Sequence, residues 1–401
     1  MITRIADQMK FNLLNNSISN IQNENNELMI KLSTQKQVNK PSDDPIGMGK
    51  ILDYRSAKAQ ISNYQKNVDS SKSWLSTTES NLSGVNDILT QVKEMAISQS
   101  TATASASTRQ ITADSLQPLI DQVLSLANAK FGNSYIFSGT RTETEPFSPT
   151  AQGARIDVPV KASGDAYTGT VSLDAGASYT GTTNNTYVVK IVTGGLPLNT
   201  TPYQVSSDGG KTWGAVNTDL SGIVDLGDGV KVDFTGGDGT FAANDVFYVH
   251  ACAPGYYNGN GEALSSEVGK DVTINYSTTG EAAFTGQGQG TVDIFQTLND
   301  LKTALQNNDA TGIANQLDPL NEALDQINRY IAQCGTRTNS LDTSSSTLSD
   351  MDTRITGLTS NIEDADMAKL ITEYQNKQLA LQASYQMAAD LTSNSILNFI
   401  R

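Results

Sequence analysis

Residues 54–96 read YRSAKAQISNYQKNVDSSKSWLSTTESNLSGVNDILTQVKEMA. Tyr54, Ile61, Val68, Leu75, Leu82, Leu89 and Ala96 recur at every seventh position, and Ala57, Tyr64, Val85 and Val92 fill the second position of the repeat. Ser71 and Thr78 are its polar members. An a/d stripe kept over six heptads predicts a long α-helix with one apolar seam. At 1.5 Å per residue it makes a rod of roughly 65 Å. Such a seam needs a partner, and the other end of the chain supplies one. Ile313, Leu320, Ile327, Cys334, Leu341, Leu348, Ile355 and Ile362 are again seven apart, with Leu317, Leu324 and Ile331 on the second seam. A helix over 105–131, carrying Leu116, Leu119, Val123 and Leu126, completes the bundle. Pro118 and Pro319 predict a kink or a helix start at each position.

Between these halves the period changes from seven to two. Tyr187–Thr193, Val230–Phe234, Val246–Val249 and Val272–Tyr276 alternate, and Gly194-Gly195, Gly236-Gly237, Asn258-Gly259 and Asn260-Gly261 break the runs. The reading is a mainly α protein with an inserted all-β middle domain, its long antiparallel helical rod formed by the N- and C-terminal segments. We expect a terminal helical assembly domain from 1–40 with 363–401, a helical rod domain from 41–142 with 293–362, and a β domain over 143–292.

The two extremities carry stripes of their own. Phe11, Leu14, Ile18, Ile21, Asn25, Leu28 and Leu32 are spaced alternately by three and four. The last segment holds Leu370, Ile371, Tyr374, Leu379, Leu381, Tyr385, Met387, Leu391, Ile396 and Leu397. Because the chain leaves the rod and comes back, both extremities meet at one end of it. Their apolar faces bury each other only in part, and the remainder invites further copies. The expected assembly interface is Phe11, Leu14, Ile18, Ile21, Leu28, Leu32, Leu370, Ile371, Tyr374, Leu379, Leu381, Tyr385, Leu391 and Leu397. Asn25 on the first stripe is a candidate for setting register, as single polar seam residues do.

Composition narrows the function. With 27 Lys and Arg against 42 Asp and Glu, the net charge of −15 argues against nucleic acid and against an anionic membrane surface. Two cysteines, Cys252 and Cys334, make neither a metal site nor a disulfide framework. The opening MITRIADQMK has no apolar core of a secretory signal, and no apolar run approaches the ~20 residues of a membrane span. The expectation is therefore a cytosolic chain, or one exported without a cleaved signal.

Four stretches suggest chemistry. Ser42-Asp43-Asp44-Pro45 offers two carboxylates, a poor set for an ion that takes six to eight oxygens, and reads better as the cap of a helix starting near Pro45. Ser206-Ser207-Asp208-Gly209-Gly210-Lys211-Thr212-Trp213 matches the Asp-box pattern of sialidases once only, and no arginine lies between Arg155 and Arg329 to hold a carboxylate substrate. A stable turn is the preferred reading. Gly236–Phe241 has a phenylalanine where a calcium nonapeptide needs an aspartate, and reads as a loop. His250, the single histidine, lies two residues from Cys252 on the same strand face, with no third group to orient a nucleophile. A structural pair is expected there, and Cys334 is expected as a small core residue on its seam. We expect no enzyme activity, no cofactor and no metal.

Two motifs resemble a known family. Asn39-Lys40-Pro41-Ser42-Asp43-Asp44-Pro45 is similar to the bend of flagellins and hook-associated proteins. Ile362-Glu363-Asp364-Ala365-Asp366-Met367-Ala368, followed by Gln378–Tyr385 and Ile396–Arg401, resembles their C-terminal signature. Within the flagellin family, Tyr135-Ile136-Phe137-Ser138-Gly139-Thr140 looks more like junction members than filament members. The resemblance covers residues 1–142 and 293–401. It implies a structural protein of the bacterial flagellum, a hook–filament junction adaptor secreted by type III export and placed outside the cell. It further implies a ring of copies, a neighbouring hook-associated protein on one side, flagellin on the other, and an export chaperone. Filament flagellin is the alternative within the class. A secreted glycan-active enzyme or adhesin using the β domain is the alternative from another class.

Overall fold

The computed structural model describes residues 2–101, 103–162, 167, 169–210, 212–220, 222–234, 241–285 and 292–400, without the side chains of residues 2–8, 198 and 391–400. The α-helices among the described residues are α1 (Ile2–Thr34), α2 (Pro45–Gln99), α3 (Ala106–Ala127), α4 (Gly280–Phe284), α5 (Ile294–Gln306), α6 (Ala310–Asn315), α7 (Leu317–Glu363) and α8 (Met367–Ile400). The chain forms two compact units, Met1–Gln65 with Ser345–Arg401, and Lys66–Ser344. Both α2 and α7 contribute to each.

In the second unit the heptad positions are the core. Val68, Leu75, Leu82, Leu89 and Ala96 of α2 are fully buried, as are Leu320, Ile327, Cys334 and Leu341 of α7. Thr78, a polar seam member, satisfies itself locally: its Oγ1 donates to the Trp74 carbonyl of its own helix at 2.9 Å, so its hydroxyl is buried with a partner. Lys72 and Asp342 pair at 2.5 Å between α2 and α7. Helix α3 starts at Ser105, whose hydroxyl accepts the Thr108 N–H, and buries Leu116, Ile120 and Val123. It packs on α5, which is capped by Asp293 and buries Ile294, Phe295, Leu298, Leu301 and Leu305.

The prolines divide. Pro319 sits in the first turn of α7, where a missing N–H costs nothing. Pro118 lies inside α3, which continues through it rather than starting there. Pro118 and Asp114, whose carbonyl loses its helical partner, both face solvent, and the apolar residues on the opposite side hold the helix together.

Among the described residues the strands of the middle region pair antiparallel. A short hairpin pairs β1 (Lys130–Phe131) with β2 (Ser134–Tyr135). Strands β3 (Phe147–Gln152), β4 (Arg155–Ile156), β5 (Val160–Lys161), β6 (Ser172–Leu173), β7 (Asn185–Ile191), β8 (Tyr203–Ser206), β9 (Ile223–Gly227), β10 (Val230–Asp233), β11 (Val246–Cys252), β12 (Gly255–Tyr257), β13 (Ser265–Gly269) and β14 (Val272–Asn275) follow. One sheet runs β6-β10-β9 and another β4-β11-β7-β8, with β5 also paired to β11. The two share one core, in which Tyr187, Val189 and Ile191 meet Val230, Val232, Phe247 and Val249. Their alternation is the period-two pattern of the sequence, one face inward. Tyr167 stacks on Phe241 at 4.4 Å between ring centres.

Asn258-Gly259 and Asn260-Gly261 do interrupt the strands, but as a packed strap rather than a hairpin. Asn260 is buried, and a Cβ on Gly259 would come within 2.6 Å of the Ser138 carbonyl. The same region immobilises Tyr135–Thr140. Ile136 and Phe137 are fully buried, Gly139 has φ 70°, and the Phe137 carbonyl accepts both the Gly280 N–H at 2.6 Å and the Tyr257 hydroxyl at 2.9 Å.

The burial predicts a contrast within one unit. Leu82→Ala should lower unfolding free energy by about 2–5 kcal/mol. Ile111→Ala, on an exposed face of α3, should change it by no more than about 0.5 kcal/mol. Denaturant unfolding followed by circular dichroism measures both.

Candidate assembly interface

The first unit is built around a bend. After α1 the chain crosses residues 35–44 and restarts as α2. Asp44 caps that start, its Oδ1 accepting the N–H groups of Ile46 at 3.1 Å and Gly47 at 2.9 Å. Pro45 occupies the first helical position, where its fixed φ and absent N–H suit the helix. Asp43 folds back instead, accepting the N–H groups of Asn39 at 3.0 Å and Lys40 at 3.1 Å. The Asn39 contact is the main reason its carboxyl is held below the ordinary value. Ser42 is exposed and caps nothing. A Cβ on Gly47 would lie 2.2 Å from Asp44 Oδ2 and 3.1 Å from the Ile362 side chain, so a larger residue there would push the Asp44 carboxylate off its cap.

The second motif lies against the first. Lys36 and Asp364 form a β-bridge, with the Gln37 N–H donating to the Glu363 carbonyl at 2.7 Å and the Ala365 N–H to the Gln35 carbonyl at 3.1 Å. The Glu363 side chain, 8% exposed, accepts from Lys36 Nζ at 2.5 Å and Arg55 Nη2 at 2.6 Å. Burial works against its charge, but the two cations outweigh that and hold the carboxyl below its usual range. Asp366 then caps α8 by accepting the Ala368 and Lys369 N–H groups at 3.0 and 3.1 Å. Sequence reasoning had both motifs but missed Lys36, Arg55 and Gly47. A glycine in the first turn of a long helix, where it costs stability relative to alanine, was the available signal.

Helices α1 and α8 pair above this junction. Of the expected interface, Ile18 and Leu370 are buried, and Leu14, Ile21, Leu28, Leu32, Tyr374 and Leu381 are half-buried. These form the seam between the two helices of one chain. Phe11, Ile371, Leu379 and Tyr385 instead face outward, Leu379 at 63% exposure. The side chains of Leu391 and Leu397 lie outside the described residues. Met9, Leu13, Met29 and Ile30 are also exposed and were missed, because a three-four spacing selects only one face of a helix, and Met387, noted in the last segment but not placed in the interface, is exposed as well. The pair therefore has an apolar inside and an incompletely polar outside.

Comparison with known proteins agrees with this layout. The bacterial flagellin N-terminal helical region matches residues 5–142, and the bacterial flagellin C-terminal helical region matches residues 317–400, together more than half of the chain. The chain belongs to the flagellin family. Flagellar hook-associated protein 3 of Salmonella typhimurium is 35% identical over 151 residues, 37% of this chain and 48% of that one. The match thus spans about half the length of that relative. Flagellin of Clostridium tyrobutyricum is 24% identical over 393 residues, 94% of this chain and 96% of its own. A solved flagellar hook-associated protein-3 from Legionella pneumophila aligns with 78% of this chain and 98% of its own at 18% identity, with a TM-score of 0.41.

The remaining motifs of this flagellin-family chain are structural in their geometry. Asp208 accepts from Thr212 N and Oγ1 at 2.9 and 2.6 Å, Ser206 Oγ accepts the Gly210 N–H at 2.9 Å, and Gly209 and Gly210 have φ 73° and 95°. That is a closed turn. Lys211 and Gly236–Thr240 lie outside the described residues. His250 is buried, with its ring nitrogens 3.2 Å from Thr186 Oγ1 and 3.1 Å from the Gly259 carbonyl. Burial pushes its pKa down to about 4 and pushes the Cys252 thiol up to about 11, the opposite of what a Cys–His nucleophile needs. Cys334 is fully buried on its seam beside Thr278.

Two pH dependences follow. Glu363 has a lowered folded pKa, so its contribution is present above the ordinary carboxylate value near 4.3 and is lost as pH falls through the lower folded value. Glu363→Gln should cost about 1–2 kcal/mol at neutral pH, limited by the half-exposed cations, and less at about pH 3. Thermal melts at the two pH values test it. His250 also has a lowered folded pKa. The unfolded histidine near 6.5 takes up its proton first, so stability falls as pH drops from about 6.5 to 4. His250→Gln should remove that slope from the denaturant unfolding of the β module.

Proposed function

We propose that this flagellar chain is a hook–filament junction adaptor. The reading rests on the 35% identity to hook-associated protein 3, over a stretch equal to 37% of this chain. In this reading residues 1–40 with 363–401 are the assembly domain, 41–142 with 293–362 the helical frame, and 143–292 a lateral β domain. Copies join in a ring through the outward apolar residues of α1 and α8, between a hook-associated protein and flagellin. A chaperone covers the same surfaces before type III export, and the protein acts outside the cell without enzymatic chemistry.

The full-length likeness to Clostridium flagellin supports one other reading, a filament subunit. Electron microscopy of a deletion strain separates them. Loss of an adaptor leaves hooks without filaments and intact flagellin in the medium. Loss of the filament subunit leaves the medium without flagellin.

The interface itself is tested by a pair of substitutions. Leu379→Asp places a charge on an exposed side chain, so the melting temperature should hold while incorporation into flagella is lost. Leu28→Asp, in the seam between α1 and α8, should lose incorporation and also weaken the helix pair by about 1.5–3 kcal/mol. Fractionation should find both proteins in the medium beside bare hooks. Normal filaments carrying Leu379→Asp would remove the outward face of α8 from the interface.

A further inference from the structure

The second unit holds a cavity of about 340 Å³ between the turn with Ser207 and Asp208, the start of β7 and the start of α4. That volume is at the small end of the ~300–1,000 Å³ of small-molecule pockets. Hydroxyls of Thr183 and Thr279, the Asn185 amide and the carboxylates of Asp208, Glu262 and Glu281 line it. Among the described residues Ala282 is its one apolar side chain, and no Lys, Arg or His is in the wall. Asp208 and Glu262 are engaged elsewhere: Asp208 closes its turn on Thr212, and Glu262 Oε2 accepts from Thr140 Oγ1 at 3.3 Å. Glu281 differs. Only 8% exposed, it gives Oε1 to the Asn184 N–H at 3.1 Å, and its Oε2 accepts from no described residue. A Cβ on Gly261 in the cavity wall would lie 2.5 Å from Oε2, which sets that oxygen at the wall. Burial raises the Glu281 pKa, and the Asn184 N–H alone opposes it. A carboxylate buried so deeply without a cation destabilises the fold.

We propose that this cavity binds a primary ammonium group on a short alkyl chain, received by Glu281 Oε2. The carboxylates in the wall turn away an anion. A divalent metal takes at least six ligands, and among the described residues no three His, Cys, Asp or Glu side chains are grouped to hold one. A neutral sugar would find no aromatic ring in the wall to stack on. A guanidinium fits a carboxylate best through two parallel bonds, and Glu281 has one oxygen to give. An ammonium is a point charge with three donors and no acceptor. One N–H meets Oε2, and two remain for the hydroxyl and amide oxygens around it. A free alkylamine and a lysine side chain both carry this group.

The test is calorimetric titration of the full chain at neutral pH, and it does not depend on the flagellar role. The probes are 1,5-diaminopentane and, separately, Nα-acetyl-lysine methylamide. Saturable binding is expected, with none for 1-pentanol, the uncharged counterpart. The tighter binder names the source: the diamine a free amine, the lysine derivative a side chain. Glu281→Gln keeps the Oε1 acceptor and the side-chain size. It should melt no lower than wild type and bind at least about tenfold more weakly. If it does not fold, Gly261→Ala, which crowds Oε2 without removing the charge, is read in the same way. No saturable heat from either amine would overturn the proposal. So would wild-type affinity in the folded variant, or equal binding of 1-pentanol.

Discussion

A single carboxylate, almost withdrawn from water, joins parts of the chain 308 residues apart: Glu363 at the end of α7 and Arg55 in α2. Lys36 in the bend completes the contact. The rest of the first unit follows from it. Once Glu363 is held, the neighbouring backbone bridges from Gln35 to Ala365 fall into place, α8 starts at its Asp366 cap, and α1 and α8 run side by side in a fixed register. Neither helix has this order locally. Each is too polar to bury a whole face alone, and helical stability in proteins comes mostly from packing.

That arrangement explains why the helical ends look wasteful in isolation. The seam takes one face of each helix, and large apolar side chains such as Leu13 and Leu379 stay at 69% and 63% exposure. A soluble monomer gains nothing from them. A subunit destined for a larger structure does, because every copy repeats the same contact. The helical core of the second unit has the opposite character, with its heptad positions closed on themselves.

The sequence announced the helical frame because heptads are local and long: Val68 to Ala96 and Leu320 to Leu341 were readable one after another and are buried as a set. Both end motifs were readable as well. What could not be read was their relation. Nothing in Asn39–Pro45 says that Glu363 will lie against Lys36, since the contact depends on where the returning chain arrives. The same limit applies to the stripes. Periodicity placed Ile18 and Leu28 on one face, while for α8 composition alone did not say that Leu370 turns inward and Leu379 and Tyr385 outward. In the β region, alternation identified β7, β10 and β11, while the strap at Asn258–Gly261 had the dipeptides of a hairpin without being one. Of the two outcomes expected at Pro118, the helix start does not occur, because a proline on the solvent-facing side leaves the buried side of its helix intact.

The Tyr135–Thr140 segment has a consequence beyond its packing. Phe137, on the way into the β region, and Gly280, on the way out, are hydrogen-bonded to each other through the Phe137 carbonyl, with the Tyr257 hydroxyl on the same oxygen. The path therefore leaves and re-enters the helical frame through a closed neck. Seen from α2, α3 and α5, everything beyond that neck is a loop whose ends are already fastened. The entropic cost of closing a loop rises only slowly with its length. A change in the length of chain beyond the neck therefore costs the frame of α2, α3 and α5 little closure entropy.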